Sequence, residues 1–245
     1  MIDLVDRAER HIAKQSSKSF AVRIVPLKVP SNVASVSEVA PIIRGACAGR
    51  DDKHRLILEY RDSEQIKQWV NGKKLADYAT RGVITPDHII RTKNKPLICP
   101  LPKSESLDVF STELDAAVVR YVEEYQAYFE ANNAAQDPPK TALDPFPRVV
   151  LVPGVGLFGL GTSKKAAGVA ADLAEISVAT VLDAEQVGSY EALGDADLFD
   201  MEYWSLEQAK LGKGQAKPLQ RQVAVISGGG GTIGQATARL FAEQG

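Results

Sequence analysis

The sequence predicts an α/β fold, a sheet with helices on both sides, and three stretches carry that prediction. Residues 54–62, "HRLILEYRD", alternate apolar and polar side chains as a strand does. Residues 148–161, "RVVLVPGVGLFGLG", read as a strand pair around a glycine turn and lead directly into the long helical pattern "TSKKAAGVAADLAEISVATVLDAEQV". The closing residues 222–245, "QVAVISGGGGTIGQATARLFAEQG", run from a short apolar strand through four consecutive glycines into an Ala-rich amphipathic helix. Strands that alternate with helices in this way favour a layered α/β architecture.

The elements follow in order. Ile2, Val5, Ala8 and Ile12 stand at helical spacing, with Asp3, Asp6, Arg7, Glu9 and Arg10 opposite them. No capping residue precedes this first helix, so it reads as the tail of a longer one, with a natural chain start as the rival reading. "SEVAPIIRGACA", from Ser37 to Ala48, is a second helix, and Ser63 is placed to cap a third that ends near Asn71 and Gly72. "KKLADYATRG" adds a further helical piece. Thr85 can cap the next helix, with Pro86 in the first helical position, where its missing N–H costs nothing. "PLICPLP" is too rich in proline for a central strand. The longest periodic segment is 108–133, with Val109, Leu114, Val118, Tyr121, Val122, Tyr125 and Phe129 on one broad face. A Pro-rich exposed connection, 137–147, leads to the strand pair, and Thr162 or Ser163 caps the long helix behind it. "DADLFDMEYWSLEQAKLG" forms one more helix before the linker "KGQAKPLQ".

Composition excludes some classes of partner. The chain has 245 residues, 24% charged and 44% hydrophobic, with a net charge of −2. Nothing in that balance points to nucleic acid or an anionic membrane, which leaves a small-molecule substrate or a second copy of the chain as partners. The longest apolar run is broken by Pro and Gly and is too short to span a bilayer. Cys47 and Cys99 are the only cysteines, with no CxxC spacing and no signal peptide, which points to the reducing cytoplasm. Both cysteines are expected to be small buried hydrophobes.

The strongest motif lies in the closing stretch. Gly228, Gly231 and Gly234 fit G-x-x-G-x-x-G, and Gly229, Gly231 and Gly234 fit G-x-G-x-x-G. Glycines at such spacing let a backbone turn sharply and approach a pyrophosphate, with helix N-terminal N–H groups aimed at the anion. A purely structural glycine turn is the alternative. A second candidate is Thr85, His88, Arg91 and Lys93 around a helix start, which could hold a phosphate or carboxylate; a capped helix with solvated basic residues is the plainer reading. His11, His54 and His88 lie in separate segments without metal-ligand spacing, so no metal is expected in this chain. Glu123 and Glu124 point to different faces of a helix and form no acid/base pair. The stripe of Tyr121, Tyr125 and Phe129 is more simply core than a sugar platform. Tyr203 and Trp204 are expected to pack the lobe against whatever follows it.

The closing stretch resembles the first strand, loop and helix of the short-chain dehydrogenase/reductases, whose opening is T-G-x-x-x-G-x-G. Ser227 takes the place of the threonine, Gly228 and Gly234 match, and Thr232 replaces the middle glycine; the 228, 231, 234 spacing suits the extended branch. The resemblance implies that Ser227, Gly228, Gly231, Thr232, Ile233 and Gly234 bind NAD or NADP. The family's Tyr-x-x-x-Lys pair has no counterpart among the seven tyrosines, so no catalytic residue is assigned. Upstream, "PFPRVVLVPGVGLFGLGTSKKAAGVAADLAE", "DLFDMEYWSLEQAKL" and "TPDHIIRTKNKPL" resemble the middle of bifunctional proteins that fuse a class II aldolase-type domain to a short-chain dehydrogenase, the rhamnulose-1-phosphate aldolase/lactaldehyde or alcohol dehydrogenase type.

That resemblance implies four parts. Residues 1–15 would be the terminal helix of a preceding aldolase domain, and 20–212 a class II aldolase/adducin-like three-layer lobe. Residues 213–221 would be a linker, and 222–245 the truncated first β-α unit of a Rossmann fold. The family's His-Gly dipeptide aligns with Val155 and Gly156, and its His-x-His strand with Glu59 and Arg61, which implies a lobe that has lost its metal ligands. The chain would then be an internal fragment of a two-activity sugar-catabolic enzyme. A self-standing scaffold protein, or an aldolase with unrecognised ligands, are the alternatives.

Overall fold

The computed structural model describes residues 2–15, 24–48, 55–211 and 217–245. His54 in the first predicted strand, residues 20–23 of the expected lobe and 213–216 of the expected linker lie outside the described residues.

Helix α1 (Ile2–Gln15) has the expected amphipathic spacing, but Ile2, Val5 and Ile12 are exposed, so its apolar stripe is not buried against the lobe. Helix α2 (Val36–Ala46) begins at Ser35, whose N–H donates to the Glu38 carboxylate at 2.7 Å, a cap that satisfies an otherwise orphaned donor. Strand β1 (Ile57–Arg61), helix α3 (Glu64–Val70) and the short α4 (Leu75–Tyr78) follow. Next come α5 (Pro86–Thr92) and the two-residue strand β2 (Leu97–Ile98). Helix α6 (Leu107–Asn133) precedes the pair β3 (Val149–Val152) and β4 (Gly156–Gly161), and α7 (Lys164–Val187) lies behind it. Helices α8 (Asp195–Glu202), α9 (Ser205–Ala209) and α10 (Thr232–Glu243) complete the chain.

The described strands form a mixed four-stranded sheet in the order β1-β4-β3-β2. β4 is antiparallel to both neighbours, pairing Glu59 with Gly159 and Val150 with Phe158, whereas β2 runs parallel to β3. The Pro-rich "PLICPLP" thus supplies an edge strand, where missing ladder donors are tolerated. Both sheet faces are covered, which is why β3 reads as an unbroken apolar run. Leu58, Tyr60, Val150, Val152, Phe158 and Leu160 face α2 and α6, while Val149, Leu151 and Leu157 face α3 and α7. Each fully buried Leu or Phe in these layers contributes roughly 1.5–3 kcal/mol.

Helix α7 sits unusually close to the sheet. A Cβ placed on Gly159 would meet Ala171 N at 2.4 Å and Ala167 O at 2.5 Å, so only a glycine lets the helix backbone lie on β4. Ala167, Ala171 and Ala174 are buried on the helix side. Ser163, not Thr162, provides the cap, accepting from Ala166 N–H at 3.1 Å.

Several expectations are corrected. Residues 222–226 form no strand: Val223 and Val225 are 66% and 96% exposed, because no neighbouring strand offers a ladder. The predicted 195–212 helix breaks at Tyr203 and Trp204 into α8 and α9. Tyr203 is buried among Tyr125, Tyr128 and Phe199 inside the lobe, whereas Trp204 is half-exposed. Val109 is exposed, and the buried face of α6 instead takes in Phe110, Ala117 and Tyr128. The 137–147 connection is anchored at its end, with Leu143 and Phe146 packed on the core. Cys47 and Cys99 lie in the core as free thiols.

Candidate functional site

The closing loop gathers Ser227, Gly228, Gly231, Thr232, Ile233 and Gly234 at the start of α10. The Gly231 N–H donates to the Gly228 carbonyl at 2.9 Å, and Gly228 has a φ of 66°, the left-handed region that glycine enters without strain. A Cβ on Gly234 would stand 2.2 Å from the Gly228 oxygen. The first turn of the helix is therefore pressed against the loop, and any side chain there would pry them apart. At Gly231 the nearest atom to such a Cβ is 3.4 Å away, so this position is not sterically restricted. Gly231 is the N-cap and no side chain caps the helix, which leaves the first-turn N–H groups for an external acceptor. The segment leading in touches the lobe: Arg44 Nη2 donates to the Arg221 carbonyl at 2.8 Å and Arg55 Nη1 to Gln222 Oε1 at 3.4 Å.

The second candidate group is not brought together. Thr85 caps α5, its hydroxyl accepting from His88 N–H at 3.4 Å and lying 2.7 Å from His88 Nδ1. His88 Nε2 lies 3.2 Å from the Leu173 carbonyl, so a neutral ring with Nε2–H donating there and Nδ1 accepting from Thr85 satisfies both nitrogens. Burial holds the imidazole pKa below its usual 6.5, outweighing the Leu173 carbonyl and Asp87. Arg91 remains at the surface, 3.8 Å from Asp87. Lys93 turns inward. Two of the four side chains are thus committed to the interior, and no open anion cradle forms around them.

Lys93 enters a polar cluster that sequence reasoning missed. Its backbone takes φ 65° and ψ 174°, a region populated almost entirely by glycine, and its side chain is buried. The ammonium donates to the Tyr125 hydroxyl at 2.9 Å, lies 3.5 Å from Glu202 Oε1 and sits 4.1 Å from the centre of the Tyr125 ring. Tyr125 O–H donates to Glu202 at 2.7 Å and stands 3.0 Å from the Tyr203 hydroxyl. Burial pushes the Lys93 ammonium down to about 8, with Glu202 pulling the other way; it raises Glu202, with Lys93 opposing. The cluster ties α5, α6 and α8 together through a desolvated ion pair. The one signal in the sequence was the lysine itself, just past a helix end, since its partner lies 109 residues further on.

The positions aligned with the family's histidines fall on opposite faces of the sheet. Val155 lies in the turn between β3 and β4 and packs into the core on the α2/α6 side, its carbonyl accepting from Tyr60 O–H at 2.9 Å. Glu59 and Arg61 point to the α7 side, where Glu59 pairs with Arg61 and Lys164, and Arg61 reaches Asp172 at 2.9 Å. Among the described residues no group of three or more His, Cys, Asp or Glu side chains is arranged to hold a metal.

Comparisons with known proteins bear on the family. A family model described as aldolase class II, second domain, matches residues 34–211. A Bacillus subtilis (strain 168) protein named "Uncharacterized oxidoreductase YuxG" is 29% identical over 249 residues, an alignment that takes in 100% of this chain and 35% of that protein. The chain thus spans about a third of the length of this relative. No solved structure matches it. No described helix is long and apolar enough to cross a membrane.

Proposed function

The chain belongs to the family of class II aldolase second domains, and from that premise we propose that it is the central lobe of a longer, two-activity sugar-catabolic enzyme. In this reading a sugar-phosphate aldolase domain precedes the lobe and an NAD(P)-dependent short-chain dehydrogenase follows it. The lobe itself is non-catalytic. It links the two activities or assembles them, and residues 222–245 open the dehydrogenase.

The observation that carries the reading is the closing loop. Its helix start is pressed on the Gly228 carbonyl so closely that position 234 admits only glycine, and no side chain caps the first-turn N–H groups. Such a loop fits a pyrophosphate, which Gly228, Gly231, Thr232, Ile233 and Gly234 would hold through backbone N–H groups beside the Ser227 hydroxyl. The dinucleotide, when bound, supplies hydride transfer. The oxidoreductase name of the relative, aligned along the whole chain, supports the same direction. For the lobe, the valine at position 155 supports a role without an imidazole-bound metal, since an aliphatic side chain offers no donor.

The nucleotide sequence on both sides of this reading frame tests the proposal. An in-frame continuation that encodes a Tyr-x-x-x-Lys pair downstream and a histidine set upstream is expected. In the full-length protein, Gly234→Val should then abolish NAD(P)-linked turnover and leave aldol cleavage intact. A stop codon directly after Gly245, or stoichiometric zinc in the purified lobe, would overturn it.

A further inference from the structure

On the α7 face of the sheet, behind the Lys93–Glu202 cluster, the lobe contains a cavity of about 60 Å³. Its walls are apolar: Trp69 from α3, Leu157 from β4, and Ala174 and Val178 from α7. At one end it is lined by the 92–95 segment. Besides residues 94 and 95, the polar side chains on the lining are Thr92, Lys93 and Ser177, and each has a partner. The Thr92 hydroxyl donates to the His88 carbonyl at 2.8 Å and the Ser177 hydroxyl to the Leu173 carbonyl at 3.0 Å. The Lys93 ammonium is held by Tyr125 and Glu202, and the nearby His88 ring by Thr85 and Leu173.

Asn94 and Lys95 are different. Asn94 is 7% exposed, yet its carboxamide makes no hydrogen bond among the described residues. Its polar atoms are not sealed off, so the amide is open to meet a ligand in the recess. Lys95, half-buried on the same lining, has no ion pair among the described residues. An apolar recess with one unpartnered carboxamide and one unpaired ammonium is the usual make-up of a small-ligand site: a greasy wall for affinity and a few polar groups for orientation.

We infer that this cavity binds a short-chain carboxylate, its hydrocarbon end against Trp69 and Ala174 and its carboxylate between the Asn94 amide and the Lys95 ammonium. Size sets the class. A water needs roughly 10–15 Å³ on this measure, so the cavity takes a body of about four to six non-hydrogen atoms. Charge sets the head group, because the amide N–H donors and the ammonium together favour an anion over a neutral amide or alcohol. The inference does not depend on the two-activity reading, since every residue it uses lies within the lobe.

The two tryptophans make a direct test available. Trp204 is half-exposed and away from the cavity, so Trp204→Phe leaves Trp69 as the only indole reporter. Isobutyrate titrated into this variant of the 245-residue chain should change Trp69 emission saturably, with isobutyramide at least about tenfold weaker. Lys95→Gln should weaken isobutyrate by about tenfold and leave isobutyramide unchanged. Ala174→Leu fills the recess and should abolish the response while the circular dichroism and melting transition persist. Should Ala174→Leu fail to fold, Lys95→Gln and Asn94→Asp, both at the polar end, decide the matter, the latter by repelling the anion. A response that never saturates, or one in which isobutyramide matches isobutyrate and Lys95→Gln changes nothing, overturns the proposal.

Discussion

Two stretches of this chain share one local recipe and end differently. Residues 148–174 and 222–242 each carry a short apolar run, glycines and an alanine-rich helix. In the first, the apolar runs become β3 and β4, and α7 is laid on them. In the second the helix forms and the glycines make their turn, but the apolar run 222–226 stays without a ladder, with Val225 almost wholly exposed. A helix closes its hydrogen bonds within its own segment; a strand needs a neighbour. The contrast therefore lies in the partners that the rest of the chain supplies, and not in local propensity.

The comparison can be broken most severely at Gly159. Gly159→Val drives a side chain into the backbone of α7, and the expected loss is about 3 kcal/mol or more by urea denaturation. Gly230→Ala in the closing loop meets open space and should leave the transition where it is. The buried pair should give an effect of the same order. Glu202→Ala strands the Lys93 ammonium and should cost roughly 3–5 kcal/mol, whereas Lys93→Met with Glu202→Leu should recover most of that loss. Ending the chain at Leu211 removes the Arg44 bond to Arg221 along with the whole closing unit, and the lobe should lose no more than about 1 kcal/mol. A larger loss would mean that the closing unit is a structural part of the lobe.

The smallest effect expected is a pH dependence. His88 has its folded pKa depressed below 6.5, so between those two values the unfolded chain binds the proton that the folded chain refuses. Stability is then complete above about pH 6.5 and falls as the pH drops from there towards the folded value. His88→Gln should flatten that acid limb in melting curves recorded across the range. An unchanged limb would assign it to other groups.

Much of the lobe was legible because its signals are local. Ser63 and Thr85 mark helix starts, and the valine run with its glycine turn marks the strand pair. The closing loop was legible for the same reason, since Gly228 and Gly234 lie within one turn of chain. What was hidden is what joins distant segments. The parallel pairing of β2 with β3 spans residues 97 to 151, and the tie between Lys93 and Glu202 crosses from α5 to α8. Lys93 in particular read as a solvated cation beside a helix. Only the fold shows that its position after Thr92 sends the side chain inward. The break between α8 and α9 was hidden as well, because the chain turns extended at Trp204 (φ −70°, ψ 126°) with no proline or glycine there to mark it.

The contact between α7 and β4 also fixes how far one can move along the other. Ala167 and Ala171, one helical turn apart, bear on Gly161 and Gly159, two strand residues apart. Four helical residues advance about 6 Å and two strand residues about 6.7 Å. The two rows therefore mesh like the teeth of a rack and pinion, and a slide by one residue would bring side chains where only hydrogen atoms fit. A force on the exposed face of α7 is passed to the strand as displacement of the whole layer and not as slippage, so that helix and strand move as one rigid body.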